Sequence, residues 1–370
     1  MRVLGNSLLL AASLLVSLFA LEFVARAVVD PLDYLLPNLV EDDFLFYRVE
    51  GHTGSHDAWG YRNTQVPESA DIVCIGDSMT YGISALARDS WPRALAKMSG
   101  ETVYNMSVGG YGPIQYLYLM ENKAIKLYPK TVIVGLYLGN DLIDVYNEVR
   151  FNKNWSAYGK LDGSDTKPVL AYQPRPDKFL GGVRDWLARH SVFYGLLSTT
   201  PLFDFFRERE LRNGSAAADR NAIMAYRDVK HNVVFMEGTS LDLNDPRISA
   251  AMGITNKVLL DMRSVAEKNS FRLIVALIPT KQRVYAKLLD RAGYGDKYPR
   301  LADAVRQEDT VRDMISGFLH QNNIEAINLL PALEADAEER DPYPHTDMHP
   351  TKEGYRVIAD TINHYLNGAY

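Results

Sequence analysis

The sequence predicts an α/β chain built on a doubly wound parallel sheet of about five strands, and three observations carry that expectation. Apolar runs recur at Ile72–Ile75, Val103–Met106, Thr131–Leu138, Phe271–Ile278 and Ile324–Leu329, each short and nearly continuous, as in strands covered on both faces. Stretches with helical spacing and helix punctuation lie between them. Several runs end in polar or glycine-rich turns, at the sheet edge where open parallel sheets bind their ligands.

Taken in order, the chain opens on Arg2 and a charge-free stretch from Val3 to Leu21 rich in Leu, Ala and Val. At about 1.5 Å per residue, such a stretch nearly spans a hydrocarbon core about 30 Å thick. Residues 1–28 therefore read as a single membrane anchor. Arg2 and the amino terminus keep that end in the cytoplasm, so the rest of the chain lies on the outer side, periplasmic or extracellular. The alternative is a signal peptide cleaved at Ala25-Arg26-Ala27, and in either case the body is exported. Residues 29–70, broken by Pro31, Pro37 and Pro67, read as a connector packed on the main domain, which spans 71–370.

Within that domain Ser90-Trp91-Pro92 opens a helix that closes at Gly100, with a capping residue, an early proline and a glycine stop. Asp245-Pro246 opens a longer helix that turns Val258, Leu259, Met262 and Val265 toward the core. The last helix starts near Thr351, lines up Tyr355, Ile358, Ile362 and Leu366, and ends at Gly368. Residues 145–245 break this rhythm and read as an insertion. It is rich in aromatics, among them Trp155, Tyr158, Tyr172, Phe179, Trp186, Phe193, Tyr194, Phe203, Phe205 and Phe206. They form either the core of a packed subdomain or a polymer-binding wall over the sheet edge.

Composition narrows the function classes. The 370 residues are 47% hydrophobic with a net charge of −6, enough for a large core and without the basic surface that a general nucleic-acid grip requires. The one cysteine, Cys74, lies inside an apolar run and reads as a core side chain.

The chemistry gathers at the strand ends. "DIVCIGDSMTYG" leaves the first run through Gly76-Asp77-Ser78 and places a hydroxyl at the head of a helix, where a parallel strand opens onto a crevice. "YNMSVGGYG" ends the second run with Gly109 and Gly110, where a backbone N–H can approach a ligand without interference from a Cβ. "LYLGNDLID" ends the third with Asn140 and Asp141, and "HTDMHPTKEGY" sets Asp347 and His349 just before the final helix.

As an ordered set these four blocks resemble the SGNH/GDSL hydrolase family over Asp71 to about Leu366, with the insertion unmatched. The resemblance implies a flavodoxin-like sheet of SGNH type. It also implies that Ser78 attacks an ester carbonyl, that His349 is the base, and that Ser78, Gly110 and Asn140 donate to the oxyanion. Gly109 competes with Gly110, because the double glycine leaves the register open by one.

The physics suits those roles, since a neutral serine needs a base within about 3 Å and the tetrahedral intermediate needs donors already aimed at its oxygen. The family's usual Asp-x-x-His spacing puts Thr346 where an aspartate is expected, and Asp347 two residues before His349 is read as the third member. A similar Asp-x-His pair, and the stretch "LIPTKQRVY", resemble the SGNH-like proteins that acetylate exported polysaccharides. Asp341 is the runner-up acid. His345 offers no metal pair, because its proline-rich loop has no helix to align two ligands, and neither metal nor cofactor is expected.

These readings describe a membrane-anchored esterase acting on O-acetyl groups of an exported or cell-envelope polysaccharide, with polysaccharide-export or acetylation machinery as a partner. The alternatives are an O-acetyltransferase on the same polymers, a lipase or phospholipase, and a non-catalytic polysaccharide-binding or assembly subunit.

Overall fold

The structure, a computed structural model, describes residues 2–159, 181–200, 222–227, 231–236, 240–291, 293–345 and 347–368. It begins with α1 (Arg2–Val28), followed by an antiparallel hairpin of β1 (Leu39–Asp42) and β2 (Phe46–Val49). The main domain then alternates β3 (Ile72–Gly76), α2 (Ser78–Tyr81), α3 (Trp91–Ser99), β4 (Val103–Asn105), α4 (Pro113–Asn122), β5 (Thr131–Tyr137) and α5 (Asp141–Phe151). Within residues 145–245 lie α6 (Gly181–His190), α7 (Val192–Ser198) and a second hairpin of β6 (Ala222–Arg227) and β7 (Asn232–Met236). The chain closes with α8 (Pro246–Asn269), β8 (Arg272–Ile278), α9 (Lys281–Val284), α10 (Pro299–Gln321), β9 (Glu325–Asn328), α11 (Leu330–Ala337) and α12 (Lys352–Leu366).

All five apolar runs are strands of one parallel sheet, ordered β4-β3-β5-β8-β9. This is the doubly wound order, with the chain reversing direction across the sheet beside β3. The two faces divide the strand residues by alternation. Val73, Ile75, Val132, Val134, Val275 and Leu277 face the layer that contains α4, α5 and α8. Ile72, Cys74, Ile133, Ile274, Ala276 and Ile278 face α3, α11 and α12. Cys74 is fully buried there, and burial pushes its thiol well above the ordinary range.

Most of the helix punctuation behaves as expected. Asp245 accepts from the Arg247 N–H and Thr351 from the Gly354 N–H, while Gly100 ends α3 with φ 73°. Ser90 differs. It stands at the capping position of α3, but its hydroxyl donates backward to the Ala87 carbonyl at 2.8 Å, where the preceding turn offers a nearer partner.

α1 has one apolar stretch long enough to cross a membrane, Gly5–Val28, and most of that stretch is exposed. Its far end is tied to the domain. Glu22 accepts from the Ser191 hydroxyl and from the Val192 and Phe193 N–H groups at the start of α7, and Arg26 donates to the His190 carbonyl.

The aromatics of residues 145–245 have different surroundings. Trp155 is buried in the main core against Phe44 and Tyr118, so it offers no open platform. Tyr158 donates to Asp261 at 2.8 Å, and Trp186 is exposed and stacked on His190. Tyr172, Phe179, Phe203, Phe205 and Phe206 lie outside the described residues.

Candidate active site

β3 delivers Ser78 to the carboxyl edge through a turn with no spare room. A Cβ on Gly76 would lie 2.2 Å from Thr80 Oγ1, so the strand can exit there only as glycine. The buried Asp77 then accepts from the Met79 N–H at 2.9 Å and starts the single turn of α2. Gly82 closes it at φ 89°.

The loop before α12 meets this turn. His349 Nε2 lies 2.8 Å from Ser78 Oγ, and His349 Nδ1 lies 2.7 Å from Asp347 Oδ1. The same carboxylate oxygen accepts from the His349 backbone N–H at 2.8 Å. A two-residue spacing therefore suffices, because the aspartate folds back on the backbone of the histidine it orients. With a carboxylate at Nδ1, the proton sits on that nitrogen and Nε2 is left to accept from the serine.

Two contacts absent from the sequence reading complete the arrangement. Ser84, just past α2, donates to Asp347 Oδ2 at 2.6 Å, so both carboxylate oxygens are engaged. Burial alone would raise the Asp347 carboxyl. Hydrogen bonds from His349 and Ser84 outweigh it and hold the group well below the usual carboxylate range, ionised at neutral pH. From the start of α9, just past β8, the fully buried Lys281 donates through Nζ to the carbonyls of Pro344, His345 and Asp347 at 2.7, 3.1 and 3.1 Å. It thereby fixes the backbone that carries the acid. Burial lowers its ammonium to about 8 against the pull of Asp347 and Asp341. Asp341 itself accepts from the Tyr285 hydroxyl at 3.0 Å. Thr346 lies outside the described residues.

Gly109 and Gly110 leave β4 beside Ser78. A Cβ on Gly109 would be 3.6 Å from Ser78 Cβ, whereas one on Gly110, at φ 79°, would be 2.6 Å from the Tyr47 hydroxyl. Among the described residues the N–H groups of Ser78, Gly109 and Gly110 donate to no backbone carbonyl. Asn140, at the end of β5, has its Nδ2 held by Asp144 Oδ2 at 2.6 Å, and an amide NH₂ has a second hydrogen to give.

Behind these groups lies a buried acidic cluster of Asp77, Asp141, Asp144 and Glu148. Burial raises Asp77 to about 6. Burial and the Asp77 charge raise Asp144 to about 7. Asp141 and Glu148 are pushed well above the carboxylate range, again by burial first and by their acidic neighbours second. With their values raised in this way, the four carboxyls do not all carry a full charge at neutral pH.

No family model matches the chain, and no curated protein matches it. Solved structures that it resembles include a member of the lipolytic protein G-D-S-L family from Veillonella parvula, at 14% identity over 78% of this chain and 94% of that one, with a TM-score of 0.37. A GDSL-like lipase from Bacteroides thetaiotaomicron is 14% identical over 82% and 93%, with a TM-score of 0.38. A catalytic mutant of an acetylxylan esterase from Geobacillus stearothermophilus is 9% identical over 80% and 94%, with a TM-score of 0.40. Likenesses of this size carry no weight for the chemistry, which rests on the geometry above.

The sequence had singled out Ser78, Gly110, Asn140, Asp347 and His349, and all five lie along this edge. Tyr47, Ser84 and Asp144 carried no local signal. Lys281 carried one, within the stretch "LIPTKQRVY".

Proposed function

We propose that this chain is a serine esterase of SGNH/GDSL type, and the observation that carries the reading is the continuous Ser78–His349–Asp347 hydrogen-bond chain. His349 Nε2 accepts the Ser78 proton as Oγ bonds to the ester carbonyl carbon. The carbonyl oxygen becomes the oxyanion, and the Ser78, Gly110 and Asn140 N–H groups stabilise it. Collapse of the intermediate breaks the ester C–O bond, and His349 returns the proton to the departing alcohol. Water, deprotonated by the same histidine, then releases the acid from Ser78.

The proposed substrate class rests on the topology expected from the sequence. A catalytic domain carried outward on α1 would meet envelope and exported polymers, and O-acetyl groups on a polysaccharide are esters that such a domain could reach. A sugar hydroxyl in place of water would make the same acyl-enzyme a transferase, in partnership with export or acetylation machinery. A non-catalytic subunit would have no chemical need for a histidine held between serine and carboxylate.

The test is turnover of a chromogenic acetyl ester, a long-chain ester and an acetylated polysaccharide by the full-length protein in detergent, with and without sugar acceptors. Ser78→Ala and His349→Ala should each lower kcat on the acetyl ester by at least about 1,000-fold, and the double variant should be no slower, because the two act as a unit. Full turnover by Ser78→Ala sinks the proposal. Acetylated acceptor in place of free acetate marks the transferase, and preference for the long-chain ester marks a lipase.

A further inference from the structure

We infer that Tyr47, on the hairpin that precedes the catalytic domain, is a positioning residue that aims the Gly110 N–H at the oxyanion; this rests on the esterase reading. The Tyr47 hydroxyl donates to the Gly109 carbonyl at 2.6 Å. That carbonyl and the Gly110 N–H belong to one peptide unit, and in a trans unit they point in opposite directions. Fixing the carbonyl toward the hairpin therefore turns the N–H away from it, on a loop that passes close enough to Ser78 for a Cβ on Gly109 to lie 3.6 Å from the Ser78 Cβ.

The contact also explains the second glycine. Position 110 needs φ 79°, and a Cβ there would lie 2.6 Å from the Tyr47 hydroxyl. The hairpin is itself held. Tyr111 donates to the Tyr47 carbonyl at 2.7 Å, and Gln115 Nε2 donates to the Leu45 carbonyl at 2.7 Å. Burial, followed by the charges of Glu148, Asp144 and Asp77, raises the Tyr47 phenol, which keeps it protonated and donating at any working pH.

Tyr47→Phe removes only the hydroxyl. With a chromogenic acetyl ester it should lower kcat by about 10- to 100-fold with KM within about twofold, the loss expected when a pre-aimed oxyanion donor is allowed to wander. Affinity for a boronic acid, which forms a tetrahedral adduct on the serine, should fall in parallel, and the melting temperature should stay at the wild-type value. Unchanged kcat, or a loss confined to KM, overturns the inference. Gly110→Ala gives a second reading, since its methyl would crowd the same hydroxyl. The Tyr47→Phe/Gly110→Ala double variant should be no slower than Gly110→Ala alone, and losses that multiply overturn the inference. Ser78→Ala separates the two levels: if it turns over freely, the esterase reading fails, whereas a dead Ser78→Ala beside a fully active Tyr47→Phe removes only the role given to Tyr47.

Discussion

Asp347 shows how much can rest on one carboxylate. Oδ1 binds the backbone and the ring of His349, and Oδ2 binds Ser84, so the group is an orienting contact for the ring and a tie between the two loops of the site. Asp347→Asn should lower kcat on an acetyl ester by roughly 1,000-fold or more by favouring the wrong tautomer, with little change in melting temperature. Asp341→Asn, whose carboxylate serves Tyr285, should stay within about threefold of wild type. If those two results were exchanged, the acid would have been misassigned. Ser78, Asp347 and His349 were legible only as members of an ordered set of polar blocks at successive strand ends, since singly each could be a helix cap or a turn residue. Ser84 and Tyr47 were not, because their partners lie 263 and 62 residues away and a lone serine or tyrosine looks like any surface residue.

β3, β5 and β8 were readable from their apolar runs because burial on both faces leaves little room for polar residues, and β9, with Glu325 and Asn328 in a partly exposed edge strand, was readable from Ile324, Ile327 and Leu329 around it. β1 and β2 were not, since each has only four residues and they are largely partly exposed. α5 presents a different difficulty, because Asp144 and Glu148 stand one turn apart and would look in sequence like a solvated acidic face, yet both are buried or nearly so. The pH dependence of stability should expose this. Asp144 is raised from an ordinary 3.8 to about 7, so the folded chain keeps a proton that the unfolded chain has released. Its contribution is full below about pH 4 and is lost as pH rises toward 7, at no more than about 1.4 kcal/mol per pH unit. In urea titrations between pH 5 and 7, Asp144→Asn should therefore lose less stability with rising pH than the wild type does. Parallel curves would mean that Asp144 is ionised in the folded protein throughout.

On the scale of the whole molecule, the question is whether α1 is part of the working protein or a leader that is removed. Cleavage at Ala25-Arg26-Ala27 would take away Glu22, leaving the Ser191 hydroxyl and the first N–H groups of α7 without their acceptor. It would also break into the small cluster in which Ala25 packs with Leu35 and Val192. A leader destined for removal gains nothing from such ties, so the anchor is expected to stay. Protein extracted from membranes should have the mass of the full chain and resist alkaline extraction, and a reporter fused after Tyr370 should be active only outside the cytoplasm. Glu22→Ala should leave the chain in the membrane but make the segment around α7 more sensitive to protease, because the Val192 and Phe193 N–H groups at the start of that helix lose their acceptor while Ser191 still caps it. A soluble chain beginning near Val28, with unchanged protease resistance around α7, would show that the domain does not need its anchor and that the contacts at Glu22 are incidental.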